Sequence, residues 1–116
     1  MVENRYKLTM LLVVFLLLTG CAGWSRTEKA LLAVSILAAS ADAYTTCRML
    51  DNPDNWEVNP VLGDHASDEA VISYMVFTEA VTVLLAHFVP ALRPYLLGGK
   101  ALANTAGALN NKTLEW

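Results

Sequence analysis

Residues 67–89 read SDEAVISYMVFTEAVTVLLAHFV, and the fold turns on how they are read. Ser67 followed at once by Asp68 and Glu69 is a helix start: the hydroxyl can accept a free backbone N–H, and the two acids sit where the helix dipole favours negative charge. From Ala70 to about Val89 the chain is dominated by Ile72, Met75, Val76, Phe77, Val81, Val83, Leu84, Leu85 and Phe88. That length suffices for a bilayer crossing, which takes about 20 residues. Glu79 stands in the middle of the segment and is costly in lipid unless it has a partner. Downstream, Pro90 and Pro94 bend or break the helix, and Gly98-Gly99 is a stop signal.

Upstream lies a second apolar helix. Ser25-Arg26-Thr27-Glu28 is a capping-box pattern, so a helix starts near Arg26 and runs to about Met49, where Asn52-Pro53 forbids continuation. Between Ala30 and Ala41 only Ser35 and Ser40 are polar, and Asp42 is the first charge. The stretch joining the two helices, residues 50–67, contains Asn52-Pro53, Asn59-Pro60 and Gly63 and reads as irregular. From Arg48 to Glu69 the net charge is about −5, so this stretch belongs in water. The tail, Lys100 to Asn110, is alanine-rich and predicts a short third helix, with Ala103-x-x-x-Gly107 spaced for close helix packing. The pattern predicts an all-α fold: a helical hairpin with a short C-terminal helix. No internal repeat interrupts it.

Composition agrees with a lipid setting. Of the 116 residues 55% are apolar and only 16% charged, against about a quarter charged in soluble domains. The net charge of −3 without basic clusters argues against nucleic acid and anionic headgroups as partners.

The first residues have a bias of their own. Met1 to Lys7 is a charged n-region, Leu8 to Leu18 is apolar except for Thr9, and Thr19-Gly20-Cys21 follows. An apolar core of that length with small residues after it is an export-signal pattern, too short for a comfortable span. This segment resembles a bacterial lipoprotein signal, and Leu18-Thr19-Gly20-Cys21 is similar to its lipobox. The resemblance implies a signal peptide over residues 1–20, cleavage before Cys21, and diacylation of the Cys21 sulfur with acylation of the new amino group. A helical membrane-associated domain over residues 21–116 would remain. Ala22 after the cysteine favours, by the same resemblance, the outer membrane over the inner. Two or three acyl chains anchor firmly where one is marginal. The alternative is an uncleaved first helix from Leu8 to about Ala22 in an integral inner-membrane protein. A lipidated Cys21 leaves Cys47 without a partner in the chain; an unprocessed one leaves a Cys21–Cys47 bridge open.

Orientation stays open too. If both long helices span, the acidic connection is cytoplasmic and Arg26 and Lys29 are outside, against the usual bias of basic residues, although acids weigh little in that rule. A hairpin packed on, or partly into, the leaflet that holds the lipid is the alternative.

One polar constellation stands out. Ser35, Asp42 and Thr46 fall at i, i+7 and i+11, on one helical stripe. Asp42-x-x-Thr45-Thr46, followed by Glu57-x-Asn59-Pro60, is similar to the D-x-x-x-T…E-x-N-P pattern of a family of small helical bacterial membrane proteins with no assigned activity. That resemblance covers roughly residues 30–90 and supplies an architecture without a mechanism; the lipobox ahead of it is a departure. Two roles fit Asp42, Thr46, Glu57, Asn59 and Glu79. The first four can form a hydrogen-bonded latch holding the hairpin closed. With Glu79 added they can form a cation or proton site, since acids in apolar helices are functional candidates.

His87 is eight residues after Glu79, about 80° around the helix, and His65 lies in the acidic connection, so no metal site is expected. Trp24, Trp56 and Trp116 are candidate interfacial anchors, with ordinary packing the other reading for Trp56. No nucleophile elbow, phosphate loop or catalytic motif is present, and no cofactor is implied. The expectation is a small envelope lipoprotein without enzymatic activity, held by membrane lipid through Cys21 and working through protein contacts. The competing expectation is a membrane-embedded enzyme or ion- or proton-handling protein using Asp42, Glu57 and Glu79.

Overall fold

In the computed structural model, which describes residues 4, 5, 7–12, 23–57, 59–63 and 65–113, every regular element is helical. The lipobox and Cys21 lie outside the described residues, as does Trp116.

Helix α1 spans Arg26–Leu50. Its start is the capping box: Glu28 N–H donates to Ser25 Oγ at 3.1 Å, and Ser25 N–H donates to Glu28 Oε1 at 2.8 Å. Asp51 N–H closes the last turn on Cys47 O. Helix α2 spans Asp68–Phe88, with Ser67 accepting the Ala70 N–H at 3.2 Å. At 25 and 21 residues the two helices are about 37 and 31 Å long. Both are long and apolar enough to cross a membrane.

The C-terminal third departs from the sequence reading. Pro90–Leu92 forms a single 3-10 turn, and helix α3 then runs from Arg93 to Thr113 without a break at Gly98-Gly99. Instead of a helix end and a short tail there is a third full-length helix. Pro90 and Pro94 each sit at a helix start, where a missing N–H costs nothing. A glycine stop needs a left-handed backbone, and among the described residues only Gly23 and Gly63 have one. Packing of Leu97, Ala101, Asn104 and Asn111 against the other helices outweighs the low helix propensity of the glycine pair.

The helices run up, down and up. α1 and α3 are parallel in a constant register: Glu28 meets Arg93, Asp42 meets Gly107 and Thr46 meets Asn111. α2 is antiparallel to both, and α1 packs far more closely along α3 than along α2. The seam is heptad-spaced on each partner, with Leu32, Ser35, Ala39, Asp42, Thr46 and Met49 on α1 and Arg93, Leu97, Lys100, Asn104, Gly107 and Asn111 on α3. Spacing of three and four residues is what keeps a narrow stripe facing a nearly parallel neighbour.

An apolar cluster of Trp24, Leu32, Val83, Ala86 and Leu97 fills the end of the bundle where α1 starts. Trp24 is therefore a core residue here and not a surface anchor, whereas Trp56 is exposed. The outside is apolar to an unusual degree: Leu37, Phe77, Phe88, Tyr95 and Leu102 are each more than two-thirds exposed.

Candidate functional site

Away from the Trp24 end, the bundle interior turns polar in three steps. At the first, Arg93 is buried and fully engaged. Its Nε donates to Ala86 O at 2.9 Å and its Nη2 to His87 O at 3.3 Å, closing the last turn of α2, while Nη1 pairs with Glu28 Oε2 at 3.1 Å. The guanidinium also lies 4.4 Å from the Trp24 ring centroid, a cation–π distance. One side chain thus ties together the starts of α1 and α3 and the end of α2.

The second step is at mid-bundle. Ser35 Oγ donates to Glu79 Oε1 at 2.7 Å, and Lys100 Nζ stands 3.6 Å from Glu79 Oε2. Glu79 is 5% exposed. Its Oε2 is within ion-pair reach of Lys100 but beyond hydrogen-bond length, and accepts no bond. Each helix contributes one member to this triad.

The third step is the Asp42 network. Thr46 Oγ donates to Asp42 Oδ1 at 3.3 Å; Asn111 Nδ2 reaches Thr46 Oγ at 2.8 Å, Thr45 Oγ at 3.1 Å and Asp42 Oδ1 at 3.3 Å. Gly107 makes the approach possible, since a Cβ there would stand 2.8 Å from Asp42 Oδ2. Beside this network a cavity of about 380 Å³ is lined by Asp42, Thr46, Glu57, Asn59, Lys100 and Asn104, among others.

Asp42, Thr46, Glu57 and Asn59, grouped from the sequence, therefore share one cavity. Their bonding differs from a latch between α1 and the connection. Glu57 Oε1 accepts the Asn59 N–H at 3.0 Å and Asn59 Oδ1 accepts the Val61 N–H at 3.0 Å, so these two shape their own turn. The cross-helix partner of Asp42 is Asn111 on α3. Glu79 stands apart in the Ser35–Lys100 triad and borders a second, larger cavity of about 760 Å³ between α1 and α2, whose lining includes Met10, Leu11, Ile36, Cys47 and Ile72.

Arg93, Lys100, Asn104, Gly107 and Asn111 were not singled out from sequence as site residues. Their signal is the heptad spacing itself, concealed by reading Gly98-Gly99 as a stop. His65 and His87 are both exposed, and His87 packs edge-on to Phe88. Among the described residues no three His, Cys, Asp or Glu side chains are grouped to hold a metal ion. Compared with protein-family models, curated proteins and solved structures, the chain gives no match.

Proposed function

We propose that the chain is a small envelope lipoprotein, acylated at Cys21 after removal of residues 1–20, whose helical bundle lies in the membrane that holds its acyl chains. It acts there as a non-enzymatic accessory or interaction protein. The observation that supports this most is the apolar exterior of the bundle around an interior that holds several polar side chains. Ser35, Thr46, Glu79, Asn104 and Asn111 are inside, while Leu37, Phe77, Leu84, Phe88, Leu102 and Leu109 are outside. In water such a surface would drive aggregation; in lipid, apolar flanks cost nothing and interhelical hydrogen bonds hold the helices together. The lipobox resemblance supplies the anchor, and Ala22 favours the outer membrane.

Labelling cells with a radioactive fatty acid tests the anchor. The wild-type chain should carry label and migrate as the processed form, and Cys21→Ala should carry none and remain at precursor size. Label and mobility unchanged in Cys21→Ala would remove the lipoprotein reading.

A further inference from the structure

We propose that residues 7–12 cover the groove between α1 and α2 in the unprocessed chain, and that removal of residues 1–20 bares it; the second half of this rests on the processing proposed at Cys21. The cavity of about 760 Å³ between the two helices is lined along α1 from Ile36 to Asp51, about 22 Å at 1.5 Å per residue. Ile36, Ala43, Cys47, Ile72, Met75 and Val76 give it an apolar floor. A protein interior leaves few voids larger than a water molecule, so a space of this size needs an occupant or a cover. The chain supplies a cover itself. Residues 7–12 are helical, and Lys7, Met10 and Leu11 line the same cavity.

Two observations make this segment a removable cover. The first is its face. Positions 7, 10 and 11 are spaced i, i+3 and i+4, on one side of a helix, whereas Leu8 and Leu12 do not border the cavity. Charge agrees with that side: Lys7 shares the lining with Asp51 and Asp68, which stand at the end of α1 and the start of α2. The second is its loose grip. Met10 and Leu11 are still 40% and 67% exposed, and the apolar cluster at the Trp24 end contains none of residues 7–12. The seams joining α1, α2 and α3 are made without the segment, so its departure leaves the bundle intact. Cleavage before Cys21 then exchanges a covered cavity for an open apolar groove, and contacts made through that groove belong to the processed protein alone.

Cys47 lines the cavity and is the only cysteine besides Cys21, so it reports the cover directly. Its alkylation by N-ethylmaleimide, read by mass spectrometry, should be at least 5-fold slower in the unprocessed Cys21→Ala chain than in processed wild type in the same detergent. Misfolding of the variant would expose Cys47 and speed the reaction, so a slower rate is not a folding defect. The contact itself is tested within Cys21→Ala by benzoylphenylalanine placed at Leu11 or, as control, at Leu8. Illumination should join position 11 to peptides of α1 or α2 at least 5 times as often as position 8. Absence of that adduct, or equal yields from both positions, overturns the cover. Equal alkylation rates in a processed wild type and an unprocessed variant overturn the uncovering. Adducts from position 11 in a protein whose wild type keeps residues 1–20 support the cover and overturn the lipoprotein proposal alone.

Discussion

At Asp42 two donors converge on one carboxylate oxygen, Thr46 Oγ from the same helix and Asn111 Nδ2 from α3. Asn111 also donates to Thr46 at 2.8 Å, so the three side chains form a relay in which each bond polarises the next. The side chain at position 42 serves the fold as an acceptor. Asp42→Asn keeps an acceptor oxygen and should melt close to wild type in detergent, whereas Asp42→Leu strands Asn111 and Thr46 and should cost about 1–3 kcal/mol. Equal melting of all three forms would show that the relay holds nothing together. Half of this relay was legible in the sequence. Asp42 and Thr46 lie one helical turn apart, so their proximity follows from local geometry alone. Asn111 is 65 residues beyond Thr46, and only the packing of α3 on α1 brings it there.

The same divide between local and distant signals applies to whole elements. α1 and α2 start at Ser25 and Ser67 as their caps dictate, because a cap is a bond within a few residues. α3 was misread because a glycine pair is a local signal for a stop, while its override comes from a tertiary seam. The three glycines of this helix differ accordingly. A Cβ at Gly98 or Gly99 meets nothing within 4 Å, but at Gly107 it would press on the Asp42 carboxylate at 2.8 Å. Gly98→Ala and Gly99→Ala should therefore each stabilise the protein by about 0.5–1 kcal/mol through helix propensity. Gly107→Ala gains the same propensity and loses the Asp42 contacts with Thr46 and Asn111, so its melting temperature should fall below wild type. A rise of similar size for all three variants would mean that the α1–α3 approach is looser than described.

Across the whole molecule, polarity is graded in two directions. Along the bundle, the interior passes from the Trp24 cluster through the Ser35–Glu79–Lys100 triad to the Asp42 network and its cavity. Across it, polar groups such as Ser35, Thr46 and Glu79 share the interior with Met49, Val71 and Leu97, while large apolar side chains cover much of the outside. Composition and apolar helix lengths already pointed to lipid, whereas the polar groups shared between helices in the interior became visible only when three helices were placed side by side. The most direct test is a nitroxide attached in turn at Leu37, Leu84 and Leu102, one on each helix, in protein reconstituted into lipid vesicles. Collision rates with oxygen, which concentrates in the hydrocarbon, and with a water-soluble nickel chelate report where each label sits. Lipid-facing flanks predict high oxygen and low nickel accessibility at all three positions. High nickel accessibility at them would contradict a bundle with its apolar flanks in the membrane.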